Sequence, residues 1–280
     1  MAERVVETEP LAERSTSLTV PRIRWRQAQR INDVRHVPEE VAIAFSYAGS
    51  THAVMMATPA DLMDFALGFS LTEGIVSTID DVDRIEVVHD DHGIDVQIWL
   101  REEKGDALIA RRRHMAGPVG CGLCGIESID QAMRTAPPVQ STLHMSADHV
   151  AEAIAALNAQ QLLHQITRAV HGAGFFMPGA GMVAVREDVG RHNALDKLAG
   201  ALLASGHRGG DGAVVVSSRV SVEMVQKTAL IGSGILIAIS APTALALRVA
   251  QDAGITVIAL ARGEDFEVFT HPKRIDFGQV

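Results

Sequence analysis

Unbroken apolar runs punctuate the last third of the chain. They fall at Ala213–Val216 and at residues 235–239 and 255–260, each short and closed by glycine or polar residues. Between them lie stretches of helical length, residues 221–231 and 242–252. Strand, helix, strand, helix, strand with continuously apolar strands predicts a parallel sheet covered on both faces. Right-handed crossovers then bring the C-terminal ends of the strands to one edge, where such sheets bind ligands. Upstream, Ser146 caps a helix whose apolar stripe is Val150, Ile154 and Leu157, and Pro137-Pro138 marks a break before it.

The first half of the chain has a different rhythm. Residues 41–45 and 51–56 are apolar runs separated by Ala48-Gly49-Ser50, a hairpin signal. Thr58 then reads as an N-cap with Pro59 at the first helical position. Leu62, Phe65, Ala66, Phe69 and Leu71 supply the apolar face, and Gly74 stops the helix. Two further strands, 84–89 and 94–100, are joined by Asp90-Asp91-His92-Gly93. Residues 1–36 are polar and aperiodic, with Arg22, Arg24, Arg26 and Arg30 making them locally basic, and read as a flexible arm. The expected division is therefore the arm 1–36, a small α+β domain 37–137 and a larger α/β domain 138–280.

Composition narrows the function. Across 280 residues the net charge is −9 and aromatics make up 4%, which gives neither the field nor the stacking surfaces of a nucleic-acid binder. Residues 228–247 hold no charge, but Gly232-Ser233-Gly234 and Ala241-Pro242 break them into helix end, strand and helix start rather than a membrane span. The N-terminus stays charged to Arg14 with no apolar core of a signal peptide, so the expected compartment is the reducing cytoplasm.

Both cysteines lie in Gly120-Cys121-Gly122-Leu123-Cys124-Gly125. Four readings are open: buried small apolar residues, a dithiol redox pair, half of a zinc site, or a nucleophilic sulfur carrier. The redox reading lacks the early strand of thioredoxin-like units. The zinc reading lacks an upstream His-x-Glu. Sulfur transfer asks for a thiolate among glycines with cations nearby, which Arg111, Arg112, Arg113 and His114 supply.

A second cluster, Arg186-Glu187-Asp188-Val189-Gly190-Arg191-His192-Asn193-Ala194-Leu195-Asp196-Lys197, follows an apolar run and opens a helix. A helix start offers free N–H groups to an anion, with Arg191, His192 and Lys197 able to address a phosphate. Ser217-Ser218-Arg219 with Glu223 and Lys227, Ser240-Ala241-Pro242-Thr243, and residues 262–265 follow the other strands in the same way. Four polar junctions on one sheet edge predict a sizeable polar ligand.

On these residues the chain resembles the formate dehydrogenase accessory sulfurtransferase family, FdhD, over nearly all of residues 37–275. The cysteine loop, Phe69-Ser70-Leu71-Thr72-Glu73-Gly74-Ile75, the run 187–197, Ser240-Ala241-Pro242-Thr243 and Phe266-Glu267-Val268-Phe269-Thr270-His271-Pro272 carry the likeness. The resemblance implies a cytidine-deaminase-like α/β domain with a smaller α+β domain, in a homodimer. It implies a sulfurtransferase that takes persulfide sulfur from a cysteine desulfurase. The sulfur passes to the bis-molybdopterin guanine dinucleotide cofactor required by formate dehydrogenase, and no permanent metal is implied. The alternative is a chaperone that delivers the same cofactor by contact alone. Cys121 would carry the sulfur with Cys124 assisting. Asp188, Arg191, His192, Asn193, Asp196, Lys197, Arg219 and Ser240 would shape the cofactor pocket, and Phe266, Glu267, Val268, Phe269, Thr270 and His271 would lie near its guanine ends. One position departs from the family pattern: Phe175 stands where a histidine is usual.

Overall fold

The computed structural model describes residues 14–105 and 134–278. Cys121, Cys124 and the basic run 111–114 lie outside the described residues.

The expected flexible arm is instead largely a two-stranded antiparallel ribbon, β1 (Ser17–Arg26) and β2 (Gln29–Pro38), in register from Ser17 opposite Pro38 to Arg26 opposite Gln29. Its turn residues Gln27 and Ala28 both have positive φ, 49° and 59°. That is the conformation a two-residue hairpin needs, held here without the usual Asn or Gly.

The next unit is a four-stranded sheet with one helix. β3 (Val41–Tyr47) and β4 (Ser50–Ala57) turn through Ala48 and Gly49, both at positive φ. Helix α1 (Leu62–Thr72) follows, then β5 (Val82–His89) and β6 (Gly93–Leu100), in the order β4-β3-β6-β5. Inside, Phe45 stacks on Phe69 at 4.5 Å and meets Phe65 edge-on at 4.8 Å. The helix begins at Leu62, not at Pro59, because Thr58 is committed elsewhere. It is fully buried and its backbone and hydroxyl bond to residues 188, 189 and 197.

The larger unit begins with β7 (Met145–Ser146) and α2 (Ala147–Gln160), capped by Ser146 accepting from the His149 N–H. After α3 (Leu162–Thr167) come β8 (His171–Met177), β9 (Gly181–Asp188) and α4 (Arg191–Ser205). Then follow β10 (Ala213–Val216), α5 (Val222–Ile231), β11 (Ile235–Ala238), α6 (Ala244–Ala253), β12 (Thr256–Arg262), β13 (Asp265–Val268) and the short β14 (Ile275–Asp276). Six strands form one sheet in the order β13-β12-β11-β10-β8-β9. β10, β11 and β12 are parallel as expected, but β8 and β13 are antiparallel to their neighbours, so the sheet is mixed. One apolar cluster packs α4, α5 and α6 on one face and another packs α2 on the other. Phe175 is part of that buried core. No helix among the described residues is long and apolar enough to cross a membrane.

The two units meet along α1 and α4. Gly68 and Gly200 stand at the crossing, where any Cβ would strike the facing backbone.

Candidate functional site

β9 runs in the direction of β10, because each is antiparallel to β8. The C-terminal ends of β9, β10, β11 and β12 therefore share one edge, as the apolar runs predicted, and the N-terminal end of β8 joins them. Val220 is laced to the following loop, its N–H donating to Ala241 O at 3.3 Å and its carbonyl accepting from Thr243 N at 3.0 Å. Leu260 N donates to Ser240 O at 3.3 Å, tying in the last strand.

The expected pocket residues divide into two groups. Asp188, Asn193, Asp196 and Lys197 are buried, so the structure does not place them as direct ligand contacts. Asp188 Oδ1 accepts from Gly190 N at 2.7 Å and Asn193 Nδ2 at 2.9 Å. Its Oδ2 accepts from Thr58 N at 3.0 Å and stands 2.7 Å from Lys197 Nζ. Lys197 also donates to Thr58 O at 2.9 Å. Asp196 receives Thr72 Oγ1 at 2.6 Å and Lys227 Nζ at 2.7 Å. Burial pushes the Asp196 carboxyl up, against the pull of Lys227 and Thr72. These residues bolt the small unit to the large one, since buried charges must be paired and hydrogen-bonded.

The second group faces the edge. Arg191 and His192 open α4 and are half-buried. The Arg191 Nε is buried with no hydrogen-bond partner among the described residues. His192 Nε2 lies 3.0 Å from Glu223 Oε2 on the first turn of α5, within ion-pair distance but off the axis of a hydrogen bond. Burial lowers the His192 pKa, with Glu223 raising it and Arg191 lowering it further. His171, opposite Asp188, is likewise lowered by burial and then by Arg191. Arg219 is exposed, and Ser240 is partly so. Ser217 is occupied, its hydroxyl accepting from Gly172 N at 2.8 Å. The edge thus gathers two arginines and two imidazoles, whose N–H groups can donate to an anionic ligand.

The Phe266–His271 segment does not sit wholly on that edge. β13 runs antiparallel along β12, pairing Asp265 with Arg262 and Val268 with Ile258. The chain then continues to the opposite edge, where His271 O accepts from Thr256 Oγ1 at 3.0 Å. Phe266 stacks near Phe277, Val268 packs on the core, and Glu267 and Phe269 point outward. Thr270 is buried, its hydroxyl bonded to Ile255 O and Val257 N. At that far end a cavity of about 510 Å³ is lined by His144, Gln251, His271, Pro272, Lys273 and Arg274. Sequence reasoning missed His144, Lys273 and Arg274 there. The Lys273-Arg274 pair directly after His271-Pro272 was the available signal.

The chain is 60% identical over 259 residues to the sulfur carrier protein FdhD of Agrobacterium fabrum, covering 91% of this chain and 95% of that one. It is 50% identical over 264 residues to the same-named protein of Cupriavidus necator, covering 94% and 92%. The fold matches the crystal structure of a candidate formate dehydrogenase accessory protein from Desulfotalea psychrophila, with a TM-score of 0.74 at 24% identity, over 93% of this chain and 100% of that one. The FdhD/NarQ family model matches residues 38–276, and the chain belongs to that family.

Proposed function

We propose that this chain is a cytoplasmic sulfur carrier. It accepts persulfide sulfur on Cys121 from a cysteine desulfurase and passes it to the bis-molybdopterin guanine dinucleotide cofactor of formate dehydrogenase. The observation that carries the reading is the pairing of two features: a glycine-flanked Cys-x-x-Cys and a cationic sheet edge, in a chain whose relatives are named sulfur carriers.

The loading step conserves electrons. The Cys121 thiolate attacks the outer sulfur of the donor persulfide, the donor S–S bond breaks, and the donor thiolate leaves. In the unloading step, attack of the Cys124 thiolate on the Cys121 sulfur expels the outer atom as hydrosulfide. The resulting Cys121–Cys124 disulfide is reopened by a dithiol reductant. In this reading Arg191 and Arg219, with His192 and Ser240, would hold a phosphate-bearing ligand at the edge, and Lys273 and Arg274 in the cavity beside His271 would hold a second anionic group.

Incubation with an active desulfurase and cysteine should add about 32 Da, one sulfur atom, to the Cys121 peptide. Absence of that adduct would remove the carrier role. Activation of formate dehydrogenase by Cys121→Ala would leave only delivery of the cofactor by contact.

A further inference from the structure

Leu260 is at odds with its surroundings. Its φ is 54°, and among the described residues it is the only non-glycine with positive φ inside a strand, the others sitting in hairpin turns or at helix ends. A bulge accounts for the backbone. β12 pairs Ala259 with Glu267 and Arg262 with Asp265, which leaves Leu260 and Ala261 opposite Phe266 alone. The left-handed residue of such a bulge is ordinarily glycine, because a Cβ there crowds its own backbone. The bulge does not account for leucine. Ala259 and Ala261 on either side are fully buried, whereas Leu260 is 38% exposed, so burial offsets only part of the strain.

Its position supplies a reason. The bond from Leu260 N to Ser240 O sets it level with the loop that follows β11, at the C-terminal edge of the sheet. That loop adds Ala241, which is exposed, and Pro242, which is partly so. The cations lie farther along the same edge, Arg219 after β10 and Arg191 with His192 after β9. β12 is two strands away from β10, roughly 10 Å by strand spacing, about the reach from a nucleotide's phosphates to its base. The edge therefore has a cationic stretch and an apolar stretch, the division that a ligand with a charged end and a planar end requires. We infer that Leu260 is the apolar wall against which the guanine ring of the ligand lies, so that its side chain selects a ligand that carries a base. The inference rests on the proposed binding of a guanine-nucleotide cofactor at this edge and adds the residue that reads its ring.

Calorimetry on the full chain, with guanosine diphosphate and with inorganic pyrophosphate, tests it. Leu260→Asn keeps the backbone, since asparagine tolerates positive φ, and removes the apolar surface. The variant should bind guanosine diphosphate about tenfold more weakly than the wild type and pyrophosphate equally well. Leu260→Gly relieves the strain and should show the same split without lowering the urea midpoint. Equal weakening of both compounds, or of neither, overturns the inference. A midpoint that falls in Leu260→Gly also overturns it, because packing then explains the side chain. A wild type that binds neither compound overturns the reading of the edge as a ligand site, and this inference with it. Should both variants fail to fold, the wild type decides. With leucine methyl groups labelled for NMR, Leu260 should show ring-current shifts with guanosine diphosphate and none with pyrophosphate, and their absence overturns the inference.

Discussion

Gly68 of α1 and Gly200 of α4 face one another where the two helices cross. A methyl group at Gly68 would land on the Asp196 carbonyl, and one at Gly200 on the Asp64 carbonyl. Backbone cannot yield as a flexible side chain can. Gly68→Ala or Gly200→Ala should therefore cost about 3 kcal/mol in urea unfolding. Gly49→Ala meets no atom within 4 Å and should act only through its positive φ, a loss of about 1 kcal/mol.

The Lys197–Asp188 pair lies beside this crossing. Both side chains are fully buried, and Asp188 takes bonds from both units. Lys197→Met leaves a buried carboxylate without its cation and should destabilise the protein by about 3–5 kcal/mol by equilibrium denaturation. A loss below about 1 kcal/mol would show that the pair is not a bolt.

Much of this architecture was legible because β10 and β11 are short, wholly apolar and each preceded by glycine. The ribbon was not legible, because its turn is Gln27-Ala28, which has no residue suited to positive φ, and arginine fills alternate positions. The site was half legible. A polar cluster where a strand enters a helix does mark the edge, and Arg191 and His192 do face it. Asp188 and Lys197 look the same in sequence, but their partner Thr58 lies about 130 residues away and only the fold brings it near.

His192 gives a pH prediction. Burial lowers its pKa from the ordinary 6.5, Arg191 and Lys227 lower it further, and Glu223 and Asp196 oppose them. The unfolded chain thus binds more protons in the window below 6.5, so stability from this group is present above that window and is lost as pH falls through it. An NMR titration should find the midpoint below 6.5, and lower still in Glu223→Gln. A midpoint that rises in that variant contradicts the geometry.

Ligand binding and sulfur transfer should separate. Arg191→Gln should weaken guanine nucleotide binding by about tenfold, the loss of a charge-assisted bond, measured by calorimetry. Cys121→Ala should bind as the wild type does and fail to activate formate dehydrogenase. Equal loss of binding in both variants would place the ligand elsewhere.

The glycine crossing and its flanking buried ion pairs also limit the motions open to the molecule. Helices touching backbone to backbone have no side-chain cushion to slide on, and charges sealed between them resist being parted in water-free surroundings. The sheet with β3–β6 and the sheet with β8–β13 consequently travel as one rigid body. Dyes placed at Asp91 and Asp252 should report a constant separation with and without added guanine nucleotide, and a changed separation would show that a cleft between the sheets opens and shuts.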